Sequence, residues 1–266
     1  MAIMIQKRNG RKEVLDITKI QKNTIAATRN LAGVSQSDLE LDAQIKFIDG
    51  MSSADIQDAL IKTAVEKIDI DVPNWTFVAS RLFIFDLYHR VGKVTHGIKG
   101  KPYCQLKDYI GYGVDAGRII PGLGDLYDLN DLDKHIKPER DFLFNYLGVK
   151  TLYDRYLIKN KEGNPIELPQ HMFMGIAMFL AQDEDNKQEW AKKFYDVISK
   201  FEVMLATPTL SNARTNRHQL SSCYIGSSPD NIEGIFDGYK EMALLSKFGG
   251  GIGLDWNSIQ SLGGGK

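Results

Sequence analysis

Apolar positions recur along this chain with two different spacings, and the changes between them mark out the elements. At the start, Ile3, Met4 and Ile5 form a short apolar run that gives way to charged residues and then to Asn9-Gly10, a pair suited to a tight turn. This predicts a hairpin. Helical spacing follows. Asp16 or Thr18 can cap a first helix that runs towards Leu31 and stops at Gly33. Ser53 can cap another, in which Ile56, Leu60, Ala64 and Ile68 recur on one face, and after Pro73 the set Phe77, Val78, Leu82 and Phe85 does the same. Residues 1–92 therefore read as a mostly helical unit with a small N-terminal hairpin.

Residues 93–141 are rich in Gly, Asp and Tyr, as in Ile110-Gly-Tyr-Gly-Val-Asp115 and Pro121-Gly-Leu-Gly124. They predict loops with short helices, and a boundary near 92–100. Helical stripes return with Met172, Ile176, Phe179 and Leu180, and again with Trp190, Phe194, Val197 and Ile198. A helical segment is thus expected over residues 93–200. From residue 201 the character changes. Ala206-Thr-Pro-Thr-Leu-Ser-Asn212 reads as a turn-rich loop, and residues 219–225 have strand-like content. Asp230-Asn-Ile-Glu233 opens a helix carrying Ile235, Tyr239, Met242 and Leu245, which ends at Gly249-Gly-Gly251. Ile252-Gly-Leu254 is then a second strand. Strand, helix, strand is the order of a parallel crossover unit, and two strands with one helix are the beginning of an α/β domain. The whole is α+β.

Composition narrows the function classes. Among 266 residues, 33 basic and 34 acidic side chains leave a formal net charge of -1. No global electrostatic case exists for nucleic acid or an anionic membrane, so any phosphate binding must be local. Two cysteines, Cys104 and Cys223, are too few for a disulfide framework and point to a reducing compartment. The histidines at 89, 96, 135, 171 and 218 show no HExxH or i, i+4 pairing, so no metal site is expected. The start becomes charged after five residues, and no later stretch approaches 18 apolar residues in a row. Neither secretion nor membrane spanning is expected, and the location is cytoplasmic.

Three groups of residues could carry chemistry. The glycines at 249–253 miss the GxGxxG register, because the third glycine would fall on Leu254 or Trp256, and Gly265-Lys266 makes no P-loop, because its leading glycine would fall on Gln260 and no Ser or Thr follows; the cluster reads as a helix C-cap with close packing. Cys223, in Ser221-Ser222-Cys223, is either a small buried hydrophobe or a nucleophile; His218 five residues away falls on the opposite face of a straight strand. Cys104 lies in a polar loop and reads as incidental. Lys7, Arg8, Arg11, Lys12 and Lys19 surround a turn and a helix start, and form either a triphosphate clamp or a solvated face.

Two blocks of residues resemble a known family, the large (alpha) subunit of class I, aerobic ribonucleotide reductase. Ile5-Gln-Lys-Arg-Asn-Gly10, Glu13, Asp16-Ile-Thr-Lys-Ile20, residues 56–64 and Arg81-Leu-Phe-Ile-Phe85 look like the ATP-cone. Ala206-Thr-Pro-Thr-Leu-Ser-Asn-Ala213, Gln219-Leu-Ser-Ser-Cys223 and Gly249-Gly-Gly-Ile-Gly253 look like the opening of the ten-stranded α/β barrel. The resemblance implies an ATP-cone at 1–92, a helical domain at 93–200 and an incomplete barrel at 201–266. It further implies that Thr207 and Ser222 contact a ribonucleoside diphosphate, and that Cys223 is a redox cysteine. By the same route Lys7, Arg8, Glu13, Asp16, Lys19, Ser53 and His89 hold ATP or dATP, with His89 where a lysine is common. Asp230, Asn231, Ile232 and Gln260 hold a specificity effector, a deoxynucleoside triphosphate or ATP, with Gln260 where an arginine commonly sits. No cofactor is implied in this chain itself, and the radical would come from a metal-containing small (beta) subunit. The other implied partners are thioredoxin or glutaredoxin and the C-terminal part of the large subunit. That part carries the second redox cysteine, so the chain would be active only with it. The alternative is a non-catalytic regulatory remnant that binds ATP or dATP.

Overall fold

The computed structural model describes residues 3–8, 10–95, 101–217, 219–247 and 249–261; Asn9, His96, His218 and Gly263 to Lys266 lie outside them. Strands β1 (Met4–Gln6) and β2 (Lys12–Val14) form the expected antiparallel hairpin, with Ile5 opposite Glu13. Gly10 takes φ +84°, which a side chain would resist. Asp16 caps α1 (Ile17–Thr28) by accepting from the Thr18 N–H. This helix stops short of Gly33: Asn30 already adopts φ +58°, a conformation its short polar side chain tolerates.

Helix α2 (Gln36–Gln44) buries only Leu39 and Ala43 and carries no apolar stripe that sequence periodicity would find. Helix α3 (Ser53–Glu66) is capped by Ser52 rather than Ser53, in a reciprocal box with Asp55. Ile68 lies beyond its end and is exposed. Helix α4 (Trp75–Val94) packs on α1 and α3 with one side and, with the other, on α7 (Tyr146–Arg155). Phe83 meets Tyr146 and Tyr153 edge-on across that second contact.

The middle of the chain holds α5 (Leu106–Asp115), α6 (Leu129–His135) and two 3-10 turns, Gly124–Leu126 and Pro138–Leu143. Helix α8 (Pro169–Ala181) is buried on every side except at Leu180, and α9 (Lys187–Ser199) packs along it. A helix that is apolar all round belongs at the centre of a fold. One apolar core therefore runs from Ile5 to Ala213.

Beyond α10 (Thr207–Asn212) the character changes. Strands β3 (Cys223–Ser227) and β4 (Gly251–Asp255) pair in parallel, joined by α11 (Ile232–Lys247), with Cys223 opposite Gly251. The glycine cluster ends α11 as a C-cap: Gly250 N–H bonds the Leu245 carbonyl and Gly249 N–H that of Ser246, both at 3.0 Å. A Cβ on Gly250 would stand 2.6 Å from the Tyr224 ring, so close packing also requires glycine there. The chain is thus α+β: a mostly helical body with a small hairpin, followed by the first strands and helix of a sheet that does not close.

Candidate functional site

The hairpin, the first turns of α1 and α3 and the end of α4 enclose a cavity of about 610 Å³. Each element reaches it for a local reason. The hairpin turn brings Lys7 and Arg8 inward, the Asp16 cap aligns the first turn of α1 so that Lys19 and Asn23 share a face, and the Ser52 cap sets Ser53 at the mouth. All seven residues expected to hold ATP or dATP, namely Lys7, Arg8, Glu13, Asp16, Lys19, Ser53 and His89, line it. Arg11 and Lys12, from the same basic cluster, do not. The floor is apolar, made by Ile5, Leu15, Ile20, Ile56 and Leu60.

Charges in the cavity are arranged in pairs. Glu13 accepts from Lys7 at 3.2 Å and Lys19 at 3.3 Å. The Lys7 hydrogen bond foremost, and Lys19 after it, hold its carboxyl below the usual range against the cost of desolvation. Asp86, buried in the wall of α4, pairs with Arg8 and also with Arg90, the latter at 2.5 Å. His89 is pushed below its ordinary pKa by desolvation first and by the Arg8 guanidinium second, with Asp86 pulling the other way. It therefore faces the cavity as a neutral ring at neutral pH. An apolar floor with a rim of four cations, Lys7, Arg8, Lys19 and Lys22, and several acceptors suits a nucleoside triphosphate, and the volume lies in the ordinary range for such ligands.

Four polar contributors, among them Lys22, escaped sequence reasoning. Asn23 and Gln57 line the cavity and touch each other at 3.4 Å, while Gln57 also donates to the Leu82 carbonyl. Asn23 was legible as i+4 from Lys19. Asp86 was legible as a lone charge inside the apolar run Phe83-Ile-Phe-Asp-Leu87.

The second group lies about α10 and β3. Thr207 is the first residue of α10, exposed, with its hydroxyl 3.1 Å from that of Tyr156. Ser222 and Cys223 are exposed neighbours, Oγ to Sγ 3.7 Å. Cys223 is therefore no buried hydrophobe but an accessible thiol at the head of a strand. Thr209 and Asn212 of α10 bond the carbonyls of Leu220 and Gln219, which ties this helix to the segment leading into Cys223. Cys104 is half-buried against the core, and burial pushes its thiol up to about 11. It is unsuited to thiolate chemistry.

The third group heads α11. Asn231, rather than Asp230, is the cap: its Oδ1 accepts from Gly234 N–H at 2.8 Å. Asp230, Asn231 and Ile232 are all exposed there, and Gln260 is exposed in the loop after β4. Among the described residues no three His, Cys, Asp or Glu side chains stand together as metal ligands would.

Comparison with known proteins finds three families in succession. Residues 3–90 match the ATP cone domain, residues 142–218 the all-alpha domain of ribonucleotide reductase, and residues 221–264 its barrel domain. The chain is 64% identical over 98% of its length to ribonucleoside-diphosphate reductase subunit alpha of Helicobacter pylori (strain ATCC 700392 / 26695), covering 32% of that protein. It is 35% identical over 77% of its length to the Treponema pallidum (strain Nichols) subunit alpha, covering 24%. Against ribonucleoside-diphosphate reductase 1 subunit alpha of Escherichia coli (strain K12) it is 30% identical over 98%, covering 34%. The chain spans about a third or less of the length of these relatives.

Proposed function

This chain belongs to the ribonucleotide reductase family, with its ATP cone, all-alpha and barrel segments in that order, and from that membership we propose that it is the N-terminal component of a ribonucleoside-diphosphate reductase large subunit. The reaction replaces the ribose 2′-hydroxyl by hydrogen. Two thiols supply the electrons and close into a disulfide, and the oxygen leaves as water. Cys223 supplies one thiol. The second belongs to the C-terminal part of the large subunit, a metal-containing small (beta) subunit supplies the radical, and thioredoxin or glutaredoxin restores the thiols. Thr207 and Ser222 offer hydroxyls to the diphosphate. Asp230, Asn231, Ile232 and Gln260 hold the specificity effector, Gln260 without the fixed charge an arginine would bring.

In the cavity, Lys7, Arg8 and Lys19 face the phosphates of ATP or dATP, His89 adds a neutral donor, and Glu13, Asp16 and Ser53 complete the polar rim. The division into 1–92, 93–200 and 201–266 is retained, with α4 as the element that both of the first two share. No helix among the described residues is long and apolar enough to cross a membrane, and the assignment to the cytoplasm rests on the reducing conditions that Cys223 needs. The named relatives are reductase alpha subunits, which favours this reading over a regulatory remnant.

The observation that carries the regulatory part of the reading is the cavity itself, with its apolar floor and paired charges. Calorimetric titration of the chain with ATP and with dATP tests it. Binding is expected, and Lys7→Ala is expected to weaken it about tenfold or more, the usual worth of a hydrogen bond to a charged group. Failure of both nucleotides to bind would overturn the reading of the cavity as an ATP or dATP site.

A further inference from the structure

Two buried charges frame the segment that carries Thr207. Arg214 and Glu167 are both fully buried and pair through two parallel bonds of 2.6 Å, Nε to Oε1 and Nη2 to Oε2. Such a pair offsets its desolvation only if its remaining donors and acceptors are also satisfied. Here they are. Tyr109 donates to Glu167, and Ile158 N–H donates to the Oε2 atom at 2.8 Å. Arg214 donates through Nη1 to the Leu210 carbonyl at 2.6 Å and through Nη2 to the Tyr156 carbonyl at 2.9 Å. Gly175 of α8 leaves the room, since a Cβ there would stand 3.0 Å from Arg214 Cδ. The guanidinium thus ties α10 to the residue that ends α7. Tyr156 closes the frame from the other side, because its hydroxyl reaches Thr207 Oγ1 at 3.1 Å.

We infer that Tyr156 is a positioning residue for Thr207: its phenol donates to Thr207 Oγ1 and so commits the Thr207 proton outward, to an anionic oxygen of the bound diphosphate. A threonine hydroxyl has one proton and two lone pairs. Once it accepts from Tyr156, its proton is free for the ligand, and the rotor no longer has to be ordered on binding. The buried Arg214–Glu167 pair sets the distance by holding the Tyr156 main chain and the last turn of α10 in one frame. This inference rests on the reading of Thr207 as a substrate contact, and it adds a residue that no sequence motif singled out.

The test is made in the complete large subunit with its partners present. Tyr156→Phe removes the hydroxyl and keeps the ring. KM for a ribonucleoside diphosphate such as CDP is expected to rise roughly three- to tenfold, the worth of one neutral hydrogen bond, with kcat and thermal stability held. Thr207→Val should raise KM at least as much, and the double variant should be no worse than Thr207→Val alone, because Tyr156 acts only through Thr207. A raised KM in Thr207→Val with none in Tyr156→Phe overturns the inference and leaves the substrate reading standing. An unchanged KM in both overturns the substrate reading and the inference with it. A Tyr156→Phe variant that instead loses kcat and melts earlier marks a structural role and overturns the inference alone.

Discussion

Two regions of this chain obey opposite rules. Between Ile5 and Ala213 the helices bury their apolar faces against one another, and α8 is enclosed almost entirely. Beyond Ala213 no apolar side chain among the described residues is buried. Strands β3 and β4 alternate between exposed and half-buried positions, α11 has no buried residue, and Ile225 is 94% exposed. Of the expected apolar stripe of α11, Ile235, Met242 and Leu245 are half-covered, whereas Tyr239 is 52% exposed. The opposite side of the helix presents Ile232, Phe236 and Leu244 to solvent. A parallel sheet is normally covered on both faces. The first region therefore carries its own stability, whereas the second is a surface prepared for further strands and helices.

Hydrogen exchange would break or sharpen this contrast most directly. Core amides open only with the whole fold, while amides in thinly covered elements open locally. In the isolated chain, amides of α8 are expected to exchange on the order of 10⁴-fold more slowly than those of β3, β4 and α11, since native stabilities of several kcal/mol correspond to at least that factor. Equal protection in the two regions would show that the crossover unit stands alone.

The same contrast decides what could be read from sequence. Hairpin, α4, α8, α9 and the glycine cap of α11 followed from periodicity and turn chemistry, because local pattern and final burial agree there. Helix α2 was missed, as Gln-Ser-Asp-Leu-Glu-Leu-Asp-Ala-Gln offers only Leu39 and Ala43 to the core. The caps slipped by one residue at Ser52 and Asn231, where two adjacent residues could each serve. The basic cavity residues fit a solvated face as well as a clamp on local pattern alone, because their convergence depends on how the hairpin docks. Arg214, Glu167 and Asp141 gave no signal at all. A charge in a loop reads as solvated, and only packing by distant elements reveals that these are buried.

Within the buried region, acid should act through His171. Its ring is stacked on Tyr109, its Nε2 donates to the Cys104 carbonyl at 3.2 Å, and its Nδ1 has no hydrogen-bond partner, so burial pushes its pKa down to about 3. A depressed folded-state value means that the unfolded chain binds the extra proton. The contribution is full above pH 6.5 and is lost as pH falls towards 3, by about 5 kcal/mol at the limit. Asp141 works in the opposite sense. Burial raises it to about 6, against hydrogen bonds from Tyr103, Tyr88 and Gln170. Its contribution is full below pH 3.8 and fades as pH rises through 6, by roughly 3 kcal/mol. Urea denaturation from pH 7 to 4 should therefore show His171→Gln losing less stability than the parent chain on acidification. A parallel pair of pH profiles would show that His171 does not control the acid limb.

The smallest expected effect is the most discriminating between the regions. Phe173 in α8 is 3% exposed and Phe236 in α11 is 66% exposed. Phe173→Ala removes a packed ring and should cost about 3–5 kcal/mol in this chain. Phe236→Ser removes a mostly exposed ring whose aromatic neighbour is Tyr239, and should change stability by less than about 0.5 kcal/mol, as surface substitutions do. The second result carries the argument only with its counterpart in the complete subunit. If the rest of the barrel or a neighbouring subunit covers α11, the same Phe236→Ser variant should there cost about 1.5–3 kcal/mol, the worth of one buried aromatic side chain. A variant that is silent in both settings would mean that α11 stays bare, and the exposed apolar side of the crossover unit would then need another explanation.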